Sequence, residues 1–169
     1  MIFLDTNVLS ELVRECPDTN VLGWFQSSRR TELATTSVSK AEVLFGLESM
    51  ADGRKRRDLS AKIHRLFVGH FDGRVVPFDE VASEWYGRVR AKCKRKGKFP
   101  GDMDTMIAAI ALSHDASLAT RNTKDFEAFA IDLINPWNFE AGCLTHARLV
   151  DSSATAREGL PATYQCRTN

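Results

Sequence analysis

The sequence predicts an α/β protein with a central parallel sheet of about five strands, flanked by helices on both faces. Two observations predict it. Short apolar runs alternate along the chain with longer stretches whose apolar residues recur at helical spacing, the order that builds a parallel sheet covered on both sides. One of those helical stretches, Met103 to Leu112, is apolar almost all round, so it belongs in the interior.

The elements follow in order. Ile2-Phe3-Leu4 reads as the first strand, ending at Asp5, and Asn7 can cap a helix over Val8-Leu9 and Leu12-Val13 that stops before Pro17. A short helix covers Val21 to Phe25. Leu33-Ala34-Thr35-Thr36 is a weak strand, and Ser39 opens a helix through Ala41, Val43, Leu44 and Leu47. After Gly53, a basic helix runs from Arg54 to about Phe71, with Leu59, Ile63, Leu66 and Phe67 on one face. Arg74-Val75-Val76-Pro77 is a third strand, and Asp79 opens a helix reaching Lys96. Gly97 to Gly101 is a loop before the buried helix. Ser117-Leu118-Ala119-Thr120 and Ile131 to Ile134 complete the strands. Beyond residue 140 the periodicity fails, so 1–140 reads as the folded domain and 141–169 as a flexible C-terminal extension.

Composition narrows the class. The chain has 169 residues, 43% apolar and 27% charged, which suits one globular domain. A formal net charge of +1 gives no general attraction to nucleic acid, so any such site must come from local clustering. No apolar run is long enough to span a bilayer, and Asp5 interrupts the N-terminal run before a signal peptide could form; the chain reads as cytoplasmic, with no membrane partner. Cys16, Cys93, Cys143 and Cys166 form no CxxC pair, which argues against zinc and redox motifs and for reduced thiols. His64, His70, His114 and His146 do not pair at ligand spacing.

The chemistry lies in the acids. Asp5, Glu42, Asp104 and the Asn122/Asp125 pair fall just after a strand or at the start of the following helix, with no strand directly before Asp104. Each has a local explanation. Ser39 and Glu42 have the spacing of a capping box, Asn122 and Asp125 could cap in the same way, and Asp102 and Asp104 suit a helix N-terminus. Capping does not explain convergence, however, because the C-terminal ends of parallel strands share one edge, where ligand sites form. Carboxylates about 5 Å apart repel by roughly 3 kcal/mol at an effective dielectric of 20, and a cation would offset that. Hard oxygen donors with room for water suit magnesium or manganese, which can activate water against a phosphodiester.

Four stretches then carry a family resemblance. Ile2-Phe3-Leu4-Asp5-Thr6-Asn7-Val8-Leu9-Ser10-Glu11, Ser37 to Gly46 around Glu42, Asp104-Thr105-Met106-Ile107-Ala108-Ala109 and Ala119-Thr120-Arg121-Asn122-Thr123-Lys124-Asp125-Phe126 resemble, in order, the motifs of PIN-domain toxins of the VapC-like and FitB-like kind. Ile134-Asn135-Pro136-Trp137 resembles their usual ending, so the likeness runs from Met1 to about Trp137. The resemblance implies a PIN-domain fold, a magnesium-dependent endoribonuclease (manganese can substitute) and the toxin of a type II toxin–antitoxin pair. It further implies a cognate DNA-binding antitoxin and a homodimer. Carried over residue by residue, Asp5 and Asp104 become the principal metal ligands, Glu42 a further acid acting directly or through water, and Asp125 the fourth acid. Asn122 competes for that fourth place through its carbonyl oxygen, and Asp102 competes with Asp104 but reads as a helix cap. Thr6, Asn7, Thr120 and Asn122 would orient the carboxylates, although a capping role for Asn7 stays open.

Lys92, Lys94, Arg95, Lys96 and Lys98 lead into the Asp104 helix and are assigned to RNA phosphates. Arg54-Lys55-Arg56-Arg57 serves that role or a solvated helix face equally well, and Trp24, Trp85 and Trp137 are assigned to the core. Two other functions fit the acids: an aspartate-nucleophile phosphotransferase, which would need a second acid where Asn7 stands, and a non-catalytic module whose acidic pocket only docks a partner.

Overall fold

The computed structural model describes residues 1–140. The expected extension over 141–169 lies outside the described residues. Five strands, β1 (Ile2–Leu4), β2 (Leu33–Thr36), β3 (Val75–Val76), β4 (Ser117–Ala119) and β5 (Leu133–Ile134), form one sheet in the order β3-β2-β1-β4-β5, every pair parallel. The helices are α1 (Thr6–Leu12), α2 (Thr19–Ser27), α3 (Ser37–Glu48), α4 (Arg54–His70), α5 (Glu80–Arg95), α6 (Asp102–Ser113) and α7 (Thr123–Phe126), with three single-turn 3-10 helices. This is the α/β architecture the sequence predicts.

The two edge strands are shorter than expected. Each pairs on one side only, and Pro77 brings no N–H to extend β3. Within the strands, alternate residues enter opposite cores. Leu4, Leu33 and Ala119 pack with α1, α2 and α4 on one face, whereas Phe3, Ala34 and Leu118 pack with α5 and α6 on the other. Phe3 and Leu4 are both fully buried, each contributing about 1.5–3 kcal/mol. α6 supplies Thr105 and Ile107 to Ala111 to the second core, while Met103, expected inside, stands 52% exposed.

β1 lies at the centre, with β2 on one side and β4 on the other, and the chain progresses outward in both directions. Connections leaving β1 and β4 therefore diverge, the arrangement that places ligand sites beyond the C-terminal ends of parallel strands. Asp5 directly follows β1, and Thr120 directly follows β4.

Cys93, on α5, is a buried free thiol.

Candidate active site

Asp5 is 5% exposed and is the N-cap of α1. Its Oδ1 accepts from the Thr6 amide at 2.7 Å. Its Oδ2 accepts from the Thr120 hydroxyl and from the Asn7 side-chain amide, both at 2.7 Å. The Thr120 oxygen in turn accepts from Asn7 Nδ2 at 3.0 Å and from the Asn122 amide at 3.1 Å, while Asn7 Oδ1 accepts from the Arg121 amide at 3.1 Å. The carboxylate is thus pinned across the β1/β4 boundary by donors from both strand ends. Asn7 lies within α1, one residue past the start, so it does not cap that helix; its side chain joins Asp5 to Thr120 instead.

Glu42 arrives by a different route from the one its spacing suggests. Thr36, the last residue of β2, is the N-cap of α3, and its hydroxyl accepts the Ser39 amide at 2.9 Å. The helix starts three residues earlier than a Ser39 cap would allow, and no capping box forms. Glu42 is free to reach across to α1, where its Oε2 accepts from the Thr6 hydroxyl at 2.5 Å. Thr6 therefore holds Asp5 through its amide and Glu42 through its hydroxyl.

Asp104 enters from the first turn of α6, and its neighbour Asp102 does not cap that helix. Gly101 is the N-cap, and Asp102 pairs with Arg90 at 2.8 Å and accepts from the Tyr86 hydroxyl at 3.1 Å. A Cβ on Gly101 would lie 3.0 Å from Asp104 Oδ2, so the absence of a side chain at 101 makes room for this carboxylate. Sequence reading passed over Gly101 as a loop residue. The available signal was a glycine immediately before an acidic helix start. Gly101→Ala is expected to displace Asp104 by a few tenths of an ångström and to lower the turnover rate roughly tenfold while the fold persists, measured by steady-state kinetics and thermal melting.

The acids act on one another. Burial pushes the Asp5 carboxyl up to about 6, the Thr120 hydroxyl and Thr6 amide pull it back, and the charges of Asp104 and Glu42 raise it further. Asp104 is also raised, by burial first, then by Asp125 and Glu42. Folding therefore brings Asp5, Glu42 and Asp104, far apart in the chain, within electrostatic reach of each other, with Asp125 in reach of Asp104. Asn122 stands at the head of α7, its side chain making no cap bond. Thr120→Val deletes a donor to Asp5 Oδ2, so the Asp5 proton is held to higher pH. The acid limb of the rate–pH profile is expected to move to higher pH by about one to two units.

The remaining predicted residues divide. Lys92, Lys94 and Arg95 are on the last turns of α5, with Lys96 and Lys98 following; all are exposed and none forms an ion pair among the described residues. Arg54 pairs with Asp58, and Arg56 with Glu48 and Asp52, so the first basic cluster is partly neutralised. Trp24 is buried and Trp137 packs against the core beneath Arg121, as expected, but Trp85 is half-buried beneath Arg88 and outside both cores.

The family model described as PIN domain matches residues 2–132. The chain belongs to the PIN domain family. Among its relatives is VapC ribonuclease Y4jK of Sinorhizobium fredii, 41% identical over 137 residues, spanning 81% of this chain and 98% of that protein. Toxin FitB of Neisseria gonorrhoeae is 34% identical over 138 residues, spanning 82% and 99%. The solved structure of FitAB bound to an IR36 DNA fragment superposes with a TM-score of 0.77 at 34% identity, covering 83% of this chain and 98% of that one. PIN-domain ribonucleases are generally dependent on divalent metal ions. No helix of the described residues is long and apolar enough to cross a membrane.

Whether this PIN domain's residues suit a metal can be judged from the donor set. Among the described residues, no three His, Cys, Asp or Glu side chains close into a ready-made cage. What is present is a group of hard carboxylate oxygens, two of them on groups whose charged form is disfavoured by burial. Such oxygens fit a hard divalent cation held by one or two carboxylates, with water and substrate phosphate completing its coordination.

Proposed function

We propose that this PIN domain, taken as residues 1–140, is a magnesium-dependent endoribonuclease, with manganese able to substitute, and the toxin of a toxin–antitoxin pair. One observation carries the reading: a buried aspartate, Asp5, is pinned by Thr6, Asn7 and Thr120 at the strand ends, and Thr6 also holds Glu42 beside it. The names of its relatives, a ribonuclease and a toxin, support the same reading.

In this proposal Asp5 and Asp104 hold the metal, Glu42 binds it directly or through water, and Asp125 adds negative charge beside Asp104. A bound divalent ion supplies an activated water and offsets charge building on the phosphate. Thr6, Asn7 and Thr120 fix the carboxylate directions, and Asn122 donates its amide to Thr120 in support. Lys92, Lys94, Arg95, Lys96 and Lys98 hold RNA phosphates on the approach to Asp104. Where an aspartate-nucleophile enzyme needs a second acid, Asn7 is committed to Asp5 and Thr120.

A cognate DNA-binding antitoxin is the proposed partner, supported by the DNA-bound FitAB relative. An antitoxin arginine in the acidic crevice would make charge-assisted bonds to the carboxylates. A homodimer in the cytoplasm completes the proposal. The test is incubation of the purified protein with total cellular RNA, with and without magnesium, and mapping of the cut ends. Discrete magnesium-dependent cuts are expected. Binding without cleavage would favour a docking module instead.

A further inference from the structure

Single exposed apolar residues are ordinary on protein surfaces; Phe99 differs in how firmly it is held and in its surroundings. It is 79% exposed, in the hairpin that joins α5 to α6. Before it, the α5 terminus is closed by Gly97 in the left-handed region at φ +66°, with the Gly97 amide on Lys94 O at 3.0 Å and the Lys98 amide on Cys93 O at 2.9 Å. After it, Arg90 donates to the Pro100 carbonyl at 2.6 Å while its other nitrogen pairs with Asp102 at 2.8 Å. The ring is therefore presented to water from a backbone tied down on both sides.

Its surroundings are cationic. Lys94, Arg95, Lys96 and Lys98 are exposed and without ion pairs among the described residues, and Met103, 52% exposed, adds apolar surface at the start of α6. The position is close to the acids. Phe99 Cα can lie no more than about 7 Å from Gly101 Cα, and a Cβ on Gly101 would touch Asp104 Oδ2.

We infer that Phe99 is a base-stacking residue, holding one unpaired nucleobase of the RNA beside the bond to be cut while the neighbouring cations hold its phosphates. The inference rests on the ribonuclease reading and adds to it the residue that holds one base of the substrate. A base within a duplex has both faces covered by its neighbours, whereas an unpaired base offers a π-face and flanking phosphates together.

The test uses a single-stranded oligoribonucleotide, with cleavage followed in magnesium and binding measured by fluorescence anisotropy in metal-free buffer. Phe99→Ala is expected to weaken binding and raise KM by roughly 5- to 150-fold, with a smaller change in kcat. Phe99→Trp is expected to retain wild-type behaviour, and Phe99→Leu, apolar without a π-face, to resemble alanine. An abasic substitution at one position near the cut should reproduce the loss in the wild type and add nothing in Phe99→Ala, a result that a merely structural role would not give. Wild-type binding and KM in both Phe99→Ala and Phe99→Leu would overturn the inference. So would a Phe99→Ala variant altered only in its inhibition by a protein partner. Phe99-dependent RNA binding by a wild-type protein that never cuts would leave the stacking role standing and remove the ribonuclease reading.

Discussion

Asp5→Asn is expected to lower RNA cleavage by about 10³-fold or more while the protein remains folded. Asparagine keeps the size of the side chain and an oxygen for the Thr6 amide, but it removes the charge. It also turns an NH₂ toward the Asn7 amide that now donates to Asp5 Oδ2. Asp104→Asn should act similarly, because the proposed chemistry needs both carboxylates on the metal. Cleavage of a labelled RNA, circular dichroism and magnesium-induced thermal stabilisation would be measured together. The wild type should melt at a higher temperature with magnesium, and Asp5→Asn should lose most of that increment. Full activity in a folded Asp5→Asn protein would rule out the mechanism proposed above.

The second large effect is on stability. Asp5 binds its proton more tightly in the folded protein, at about 6, than at its ordinary value of 3.8. As pH rises from about 4 to 6, the unfolded chain releases this proton before the folded one does, so the contribution of Asp5 to stability falls. It is fully present at low pH and, above pH 6, amounts to a constant cost of about 3 kcal/mol. Asp104 is shifted in the same direction. Other acids titrate over the same window, so the readout is the difference from Asp5→Asn. Between pH 4 and 7, metal-free wild type should lose about 10 °C of Tm relative to that variant. Magnesium should restore the difference at pH 7 and have little effect at pH 4.5, where Asp5 is protonated. Parallel Tm–pH curves for the two proteins would show that Asp5 carries no such burden.

Much of this was legible in the sequence because it is written locally. Ile2-Phe3-Leu4 and Leu118-Ala119 are short apolar runs between helical stretches, as the strands of a covered parallel sheet are, and the apolar girth of Met103–Leu112 marks α6 as interior. The errors arose where a tertiary partner outweighed a local motif. Ser39 and Glu42 have capping-box spacing, but Thr36 takes the Ser39 amide and Thr6 takes Glu42. Asp102 looks like a cap until Arg90 and Tyr86, on another helix, are seen to hold it. Asn7 shows the same competition: its position suits capping, and its amide is claimed by Asp5 and Thr120. Gly101 was overlooked because the reason for it, the Asp104 carboxylate where a Cβ would go, is a matter of space and not of pattern.

Placing β1 between β2 and β4 has a consequence for timing. The oxygen that grips Asp5 Oδ2 from the far strand belongs to Thr120, 115 positions later in the chain. Translation therefore yields the fourth β-strand long after Asp5 has left the ribosome, and a nascent chain stopped short of it has no assembled centre. The carboxylate centre of this domain is therefore completed only when nearly the whole of it has emerged.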